Sequence, residues 1–422
     1  MAIVKAFKGI RPAKDKAHLV VSKSVDIYNA AYLTSKLSVN PFTFLHIIKP
    51  EFGETVKSKP GSPEQLQKIK KKFLQFIDEE ILFQDTEENF YVYQQVVEGH
   101  ARTGLIACAS IWDYLNGKIK IHEQTFLDRV EKLKNYLEVC DFHAEPICLS
   151  YPDNKSVDEI ITNILSSAPE YDFSTTNRVR HKLWKISNKK TKSEIVSAFE
   201  KIPFTYIADG HHRTASSALL GKTKKENNQH HTGEESYNFF MAVFFPQSSL
   251  KIHEYNRIVK DLNSHNKDSF LKKLTENFII HEEGEISYTP DKKGNFSMYL
   301  EGKWYSLVVK KSSSDKLDVD LLSELVLSPI LDIHNPQAEK RILYVNGYKG
   351  INELKKIVDT GKAAVGFGLY PITVSDIVKV ADRNGTMPPK STWVEPKTRS
   401  GLVIYSLTSP LSSPKGEGAN SQ

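Results

Sequence analysis

The segment that most constrains the fold is a short polar stretch between a β-rich run and a run of small residues. Residues 204–208 (Phe-Thr-Tyr-Ile-Ala) favour a strand, residues 209–213 are Asp-Gly-His-His-Arg, and residues 214–220 are compatible with a helix. The sequence therefore predicts a strand, a loop and a helix in direct succession, as in mixed α/β folds. The first N–H groups of a helix have no partner within it and lie at the positive end of its dipole, so we expect this loop to attract an anion.

The five residues of this loop are suited to phosphate chemistry. Gly210 lets the backbone approach a phosphate closely, and the Arg213 guanidinium can donate two parallel hydrogen bonds to phosphate oxygens. His211 or His212 can donate a hydrogen bond or transfer a proton near neutral pH, and Asp209 can bind Mg²⁺ or accept a hydroxyl proton. In the alternative interpretation Asp209 only caps the helix, one histidine is packed in the core, and Arg213 pairs with a surface carboxylate. A metal hydrolase is a lesser alternative, because adjacent histidines do not readily face one metal and the sequence has no His-Glu-x-x-His motif.

Two further polar pairs occur earlier in the chain. Arg102 and Thr103 lie near the start of a predicted strand, and His122 and Glu123 lie at the N-terminus of a predicted helix. A carboxylate at a helix start complements the helix dipole, so plain capping is an alternative to a functional role for the second pair.

The run over residues 387–397 (Met-Pro-Pro-Lys-Ser-Thr-Trp-Val-Glu-Pro-Lys) differs from an ordinary loop. Its prolines stiffen the backbone, so Lys390, Ser391, Thr392 and Lys397 would be presented at low entropic cost as cationic and hydroxyl donors. Such donors suit a phosphate or carboxylate ligand. In the alternative interpretation, the run is only a rigid connection between strands, and its lysines are solvated.

Periodicity and turn residues predict the other elements. The dipeptide Asn116-Gly117 is typical of a hairpin turn, and Gly221 and Gly361 are typical of helix ends. Helices are predicted over residues 64–82, 123–140, 157–165, 214–220, 320–327 and 351–360, and strands over residues 90–97, 118–122, 146–150, 179–186, 204–208, 237–246 and 363–371.

Composition excludes or disfavours several classes of protein. The 422 residues are 40% hydrophobic and 10% aromatic, which supports hydrophobic cores and excludes disorder of the whole chain. A net charge of +6 is too small to identify a nucleic-acid binder by charge alone. The three cysteines form no zinc-ligand pattern and, being odd in number, no closed disulfide framework, which favours a reducing compartment. No stretch approaches the ~18–20 continuous apolar residues of a membrane helix, so we expect a soluble cytoplasmic protein.

The distribution of residue types along the chain also predicts its domain organisation. We predict one catalytic region over residues 1–408 and leave open a division into two lobes, at about 1–150 and 151–408. Residues 409–422 are rich in Ser, Pro, Gly and Lys, and we predict a disordered tail there.

Several motifs, taken in order, resemble a bacterial family known as domain of unknown function 1015. The Asp-Gly-His-His-Arg loop is also similar to the phosphate loop of the ParB/sulfiredoxin-like superfamily, whose members include free serine kinases. The resemblance implies a mixed α/β (α+β) fold with a ParB/sulfiredoxin-like core, mixed sheets and additional α/β elaborations. The motifs span nearly the whole chain and are Asn40-Pro-Phe-Thr-Phe-Leu-His46, Arg102-Thr-Gly104, Ile121-His-Glu-Gln-Thr125, Ala208-Asp-Gly-His-His-Arg213, Asn256-Arg257 and Met387-Pro-Pro-Lys-Ser-Thr392 with Glu395-Pro-Lys397.

The resemblance implies ADP or ATP as the nucleotide, and residues 209–213 are assigned by their match to the phosphate loop. The remaining site residues are our inference, because the family signatures to which they belong have no established roles. We expect Mg²⁺ as a further cofactor, with Asp209 as its ligand. The expected catalytic residues are Asp209, His211, His212, Arg213, His122 and Glu123, and the expected phosphate- or nucleotide-binding residues are Gly210, Arg213, Arg102, Thr103, Lys390, Ser391, Thr392 and Lys397.

We therefore predict an enzyme of phosphoryl transfer, either a serine-kinase-like phosphotransferase or a phosphoserine phosphatase, with a role in serine biosynthesis. Its expected partners are serine or phosphoserine and a nucleotide, and ADP or water accepts the phosphate when phosphoserine is the reactant. The alternative is a ParB-like regulatory protein that binds nucleotide or DNA without catalysis. No helix-turn-helix signature supports that alternative, and we expect no nucleic-acid or membrane partner. The sequence leaves the oligomeric state open.

Overall fold

The computed structural model describes residues 2–311, 316–336, 338–388 and 390–408, and the predicted tail over residues 409–422 lies outside them. The described residues form a mixed α/β structure with several sheets, which confirms the predicted fold class. They divide into two compact units. The first contains residues 2–121, Thr125–Leu250 and 396–408, and the second contains His122–Gln124 and Lys251–Glu395. The main boundary thus falls after residue 250, whereas the sequence left open a boundary near residue 150. No helix of the described residues is both long enough and apolar enough to cross a membrane.

The first unit is built around a sheet with the strand order β6-β11-β8-β12-β5-β4-β10-β9, in which β1 also pairs with β5. A smaller ladder joins β2 to β3. The strands are β1 (Val4–Lys5), β2 (Ile10–Pro12), β3 (Leu82–Gln84), β4 (Phe90–Val97), β5 (His100–Ser110), β6 (Ile119–Lys120), β7 (Phe142–His143), β8 (Ile147–Tyr151), β9 (Tyr171–Ser174), β10 (Arg180–Ile186), β11 (Thr205–Asp209) and β12 (Phe239–Pro246). The α-helices are α1 (Ala17–Val20), α2 (Ala30–Val39), α3 (Leu45–Ile48), α4 (Pro63–Asp78), α5 (Ile111–Leu115), α6 (Leu127–Cys140), α7 (Lys155–Leu165), α8 (Lys189–Phe199) and α9 (His211–Glu226).

The second unit has its own sheet, with the order β14-β16-β15-β18-β13-β17 and β19 paired with β13. Tyr299 and Trp304 lie at the centre of its core, packed with Ile258 and Leu354. After it the chain returns to the first unit and forms β20 (Tyr405–Ser406), which pairs with β7. The strands are β13 (Lys251–Val259), β14 (Phe278–Gly284), β15 (Asn295–Leu300), β16 (Lys303–Val309), β17 (Ile342–Asn346), β18 (Val365–Gly368) and β19 (Thr392–Glu395), and the helices are α10 (Lys267–Leu274), α11 (Asp318–Leu322), a π-helical turn (Ser323–Leu327), α12 (Asn352–Asp359) and α13 (Val374–Asp382).

The large sheet of the first unit has one apolar face and one more polar face. Side chains alternate along each strand, so every second residue contributes to the same face. Val92 of β4, Leu105 of β5, Leu149 of β8 and Phe244 of β12 belong to one hydrophobic cluster, which also contains residues of α7 and α8. The remaining residues of these strands face the other way, and that second face carries the polar groups described below.

The hairpin predicted at Asn116-Gly117 is wrong. Helix α5 follows β5 directly, because the Ser110 hydroxyl accepts a hydrogen bond from the Trp112 N–H at 3.1 Å and caps a helix there. Asn116 ends that helix, and Gly117 (φ +71°) turns the chain into β6. Strand β6 then pairs in parallel with β11 rather than with the preceding strand.

Two helix boundaries also differ from the prediction. Helix α6 begins at Leu127 rather than at residue 123, because Glu123 is held extended in a parallel β-bridge with Met387. Helix α9 passes through Gly221 and ends at Glu226. The glycine lies inside the helix because a Cβ there would approach the Ile111 Cδ1 atom to 2.2 Å, so it permits close packing rather than ending the helix.

Two histidines of the first unit are buried and neutral. His181 of β10 is fully buried (0% exposed), and its Nδ1 lies 2.7 Å from the Tyr93 hydroxyl. His143 of β7 is buried as well. Burial lowers the pKa of each imidazole to about 3, with smaller contributions from Arg399 for His181 and from Arg213 for His143.

These two groups predict a loss of stability in acid. Between about pH 6.5 and pH 3 the unfolded chain binds protons at both histidines and the folded chain does not, so the free energy of unfolding falls as the pH falls through this window. Each histidine contributes a slope of up to about 1.4 kcal/mol per pH unit. In urea unfolding measured from pH 4.5 to 6.5, His181→Gln should flatten the slope by about one proton. A slope for His181→Gln equal to that of the wild type would contradict the assignment.

Candidate functional site

The predicted strand, loop and helix are present as β11, Gly210 and α9. Strand β11 ends in an irregularity, since its register against β8 shifts between Ile207 and Asp209. Gly210 follows in a left-handed conformation (φ +107°, ψ 26°) and precedes the first residue of α9, His211. A Cβ at Gly210 would lie 3.2 Å from the Arg213 Nη2 atom and 3.3 Å from the Ile147 Cγ1 atom. The backbone conformation therefore favours glycine at this position, and the space for a Cβ is tight.

The Asp209 carboxylate lies between two cations. Lys397 Nζ lies 3.0 Å from Oδ1, and Arg213 Nη2 lies 3.3 Å from Oδ2. Burial alone would raise the pKa of Asp209, but the charges of Lys397 and Arg213, with a smaller contribution from His211, outweigh it and hold the pKa below its usual value. Asp209 is therefore ionised at neutral pH.

Arg213 joins the loop to the segment before β8. Its Nη1 atom donates to the carbonyl oxygens of Glu145 and Pro146, both at 3.2 Å, and lies 3.5 Å from the Glu145 carboxylate. The same carboxylate accepts a hydrogen bond from the Thr398 hydroxyl at 2.6 Å. Two carboxylates (Asp209 and Glu145) thus face two cations (Lys397 and Arg213), so the formal charge of this cluster is zero.

The two histidines of the loop have different surroundings. His211 is 5% exposed and lies close enough to Asp209 to affect its pKa. His212 is half-buried, and its Nε2 accepts a hydrogen bond from the Phe126 N–H at 3.2 Å. Burial, and to a smaller degree Arg129, lowers the pKa of His212, so its imidazole is neutral at neutral pH. The lone pair of Nε2 is already used within the protein.

The strand register places Asp209 on the face of the sheet opposite the apolar core. Directly opposite residues of neighbouring strands share a face. Asp209 is opposite Cys148, Cys148 is opposite Val243, Val243 is opposite Ile106, and Ile106 is opposite Tyr91. This row crosses five strands and defines the second face of the sheet. It is apolar and buried at Cys148, Val243 and Ile106, and we call it the polar face because it also carries Asp209, Gln95 and Arg102.

Arg102 belongs to the polar face and Thr103 does not. Arg102 is directly opposite Gln95, which lies on the same side of β4 as the row just described. The Gln95 side chain donates to the carbonyl oxygen of Lys397 at 2.9 Å, so the segment that carries Lys397 lies over this face. Thr103 points to the other face, where its hydroxyl accepts from Gln94 at 2.9 Å.

The other predicted site residues belong to the second unit. His122 is buried, its carbonyl oxygen accepts from the Met387 N–H at 2.7 Å, and Glu123 forms a parallel bridge with Met387. These contacts join the two predicted segments to each other. The structure therefore brings residues 209–213, Arg102 and Lys397 into the first unit and His122 and Glu123 into the second.

The proline-rich run also contributes to the second unit. Lys390 has a positive φ (58°), and its Nζ lies 5.5 Å from the centre of the Tyr255 ring. The Ser391 hydroxyl donates to the carbonyl oxygen of Pro388, and Thr392 begins β19. These contacts fix the positions of Lys390, Ser391 and Thr392 in the second unit.

Two residues around the loop were not identified from the sequence. Glu145 and Thr398 belong to no motif, and their proximity to the loop arises only when distant segments of the chain meet. Arg399, which lies near His181 of β10, was not identified either. Glu145 precedes a strand at Pro146, which is an ordinary position for a charged residue. In the part of the chain that the structure describes, no three His, Cys, Asp or Glu side chains are grouped so that they could hold a metal ion.

A family model described as "Protein of unknown function (DUF1015)" matches residues 4–327. No curated protein matches the chain.

Several solved structures are distantly similar. SbnI with a C-terminal truncation, from Staphylococcus aureus, is 12% identical over 69% of this chain and 82% of that chain, with a TM-score of 0.36. A mutant free serine kinase in complex with AMP is 14% identical over 68% of this chain and 89% of that chain, with a TM-score of 0.34. A conserved hypothetical protein from Pyrococcus furiosus is 15% identical over 68% of this chain and 92% of that chain, with a TM-score of 0.31. At these scores the likenesses carry no argument about this chain.

The conformation of Gly210 gives a prediction for the loop. Gly210→Ala should lower the free energy of unfolding because it adds both a strained φ and two contacts at 3.2 Å and 3.3 Å. Gly233→Ala is a matched control, since Gly233 also has a positive φ (+94°) but nothing within 4 Å of a Cβ. We expect a loss of about 1 kcal/mol for the control and of at least about 2 kcal/mol for Gly210→Ala, measured by urea unfolding. Equal losses would show that the neighbouring Arg213 and Ile147 side chains yield to the new methyl group without cost.

Proposed function

We propose that the chain, which belongs to the family described as Protein of unknown function (DUF1015), is a phosphoryl-transfer enzyme that acts on serine or phosphoserine. The observation that carries the proposal is the start of α9. There a left-handed glycine places the first N–H groups of a 16-residue helix next to an ionised aspartate that is flanked by two cations. The resemblance of Asp-Gly-His-His-Arg to the phosphate loop of a superfamily that contains free serine kinases supports the choice of substrate.

The proposed reaction breaks the bond between phosphorus and the side-chain oxygen of phosphoserine. A new bond forms between phosphorus and an oxygen of the acceptor, which is either the terminal phosphate of ADP, giving ATP, or water, giving free phosphate. The serine oxygen leaves with the electron pair of the broken bond and takes up a proton. Catalysis of such a transfer rests mainly on positioning and on stabilising charge on the phosphoryl oxygens.

The geometry favours particular residues for these roles. The N–H groups of the first turn of α9 would hold the phosphoryl oxygens. Of the two histidines, His211 is the candidate that exchanges a proton with the serine oxygen, because the Nε2 lone pair of His212 is used by Phe126. Asp209 is a weak base because its pKa is lowered, so we assign it to orienting Lys397 and the phosphate rather than to removing a proton.

Asp209 also fits the role of a single ligand for Mg²⁺. Magnesium in nucleotide sites commonly takes one or two carboxylates, and phosphate oxygens and water supply the remaining ligands. Among the described residues Asp209 belongs to no group of three or more His, Cys, Asp or Glu side chains that could hold a metal, so phosphate and water would have to supply most of the ligands. The ion would share the Asp209 oxygens with Lys397 and Arg213. When bound, the ion would neutralise phosphate charge.

The test is to incubate the purified protein with L-phosphoserine and Mg²⁺, with and without ADP, and to follow serine, ATP and free phosphate together. Serine that forms with ATP only in the presence of ADP identifies the kinase-type reaction, and serine with free phosphate identifies a phosphatase. Asp209→Asn should lower the rate at least about 100-fold, because it removes the charge that positions the loop. Asp172→Asn, a matched change at the ion pair with Arg180 on β9 and β10, should retain the rate.

Two results would contradict the proposal. Absence of serine under every condition, with wild-type protein that is shown to be folded, would leave the regulatory, non-catalytic alternative. An Asp209→Asn variant as active as the wild type would remove the loop from the mechanism.

A further inference from the structure

Arg399 is a buried cation without a counter-charge. The residue is 5% exposed, and its Nε atom has no hydrogen-bond partner. No carboxylate of the described residues forms an ion pair with it. An uncompensated buried charge costs several kcal/mol, and proteins usually pair such a group or use it to bind a ligand.

The groups around Arg399 are neutral. The Tyr93 phenol accepts a hydrogen bond from the guanidinium, and Tyr28 and His181 lie near it. His181 is neutral because burial lowers its pKa to about 3, and its Nδ1 lies 2.7 Å from the Tyr93 hydroxyl. The phenol can therefore accept from Arg399 and donate to His181. This chain of hydrogen bonds holds the guanidinium in place but leaves its charge uncompensated.

Another buried arginine of the same unit shows the contrast. Arg11 is 1% exposed, and its guanidinium donates two hydrogen bonds to the Asp85 carboxylate, at 2.6 Å and 2.9 Å. It also donates to the Tyr171 hydroxyl at 2.9 Å. There the fold supplies a carboxylate in the paired geometry that a guanidinium prefers. At Arg399 the fold supplies a phenol and an imidazole instead.

Arg399 and Lys397 belong to one short segment that lies outside the strands. Lys397 Nζ lies 3.0 Å from Asp209 Oδ1 on β11, and Arg399 lies near Tyr93 on β4, with β8, β12 and β5 between these two strands. Thr398 and Ser400, the chain neighbours of Arg399, both contact the Glu145 carboxylate. The segment therefore brings two cations to the same sheet at separate places.

The polar face of the sheet adds a second arginine. Arg102 is directly opposite Gln95, and the Gln95 side chain donates to the carbonyl oxygen of Lys397. Since the cluster of Asp209, Glu145, Lys397 and Arg213 is neutral, Arg399 and Arg102 supply the positive charge that an anion would meet on this face.

We propose that Arg399 binds an oxyanion group, a carboxylate or a phosphate, of a small-molecule ligand on the polar face of the sheet. The Nε–H group, which has no partner in the protein, suits either group, because both offer a charged oxygen that accepts its hydrogen bond. This binding role stands whether or not the loop at Asp209 transfers phosphate.

A ligand reaches Arg399, which is 5% exposed, only if a neighbouring segment is displaced. Tyr28 lies near enough for the charge of Arg399 to affect the pKa of its phenol, and helix α2, which follows Tyr28, buries only Leu37. A segment with so little buried apolar surface is displaced at a lower free-energy cost than a strand of the core.

The test is calorimetric titration of the full-length protein with inorganic phosphate, acetate, L-serine, O-phospho-L-serine and ADP, each in a buffer free of other oxyanions. Binding of acetate or L-serine would identify a carboxylate as the bound group, and binding of phosphate or ADP alone would identify a phosphate. Arg399→Gln should weaken the dissociation constant of the bound ligand at least about tenfold, since it removes a charge-assisted hydrogen bond.

Two further variants make the result decisive. Arg180→Gln removes an exposed arginine that pairs with Asp172 and should bind as the wild type does. Arg399→Lys keeps the charge but loses the paired donors, and it should also bind more weakly than the wild type. If Arg399→Gln proves unfolded by circular dichroism, Arg399→Lys decides the question.

The proposal fails if Arg399→Gln or, where that variant is unfolded, Arg399→Lys binds every anion as tightly as the wild type. It also fails if wild-type protein binds none of the five at about 10 mM. Its failure is distinguishable from that of the proposed reaction, because Asp209→Asn should lose turnover while the response to substitution of Arg399 persists.

Discussion

The ion pair between Lys397 and Asp209 joins two segments that are 188 residues apart in the chain. Arg213 provides a second connection at this loop, because it contacts Asp209 and also the carbonyl oxygens of Glu145 and Pro146. Such a pair adds little stability when it is partly exposed, but removal of one partner leaves the other charge without compensation. The loop therefore depends on residues beyond position 327, where the match to the family ends.

What could be predicted from the sequence is mainly local. Strand β4 was predicted at its observed limits, and α4 begins at Pro63 behind the cap at Ser62, close to the prediction. The succession of β11, loop and α9 was also predicted, because strand residues, a glycine with positive φ and a helix start lie next to one another in the chain. The mixed α/β class followed from the same pattern.

The elements and site residues that the sequence did not predict depend on contacts between distant segments of the chain. Asn116-Gly117 has hairpin chemistry, yet it ends a helix here, because a capping serine six residues earlier starts α5. Glu145 and Arg399 carry no local signal, and their positions beside Arg213 and Tyr93 follow from how the strands are ordered in the sheet. A motif can identify a loop, but it cannot identify the groups that other parts of the chain bring to that loop.

The charge balance around the loop has a consequence for how an anion is attracted. Because Asp209 and Glu145 cancel Lys397 and Arg213, the cluster fixes the shape of the loop without producing a strong positive potential. In the anion binding that we propose, the attraction comes from the N-terminus of α9 and from arginines outside the cluster. Arg399 is one of these arginines, and its neighbours are neutral groups rather than a carboxylate. Under this proposal the ion pairs keep the loop ordered without a ligand, and a separate, unneutralised charge attracts the ligand.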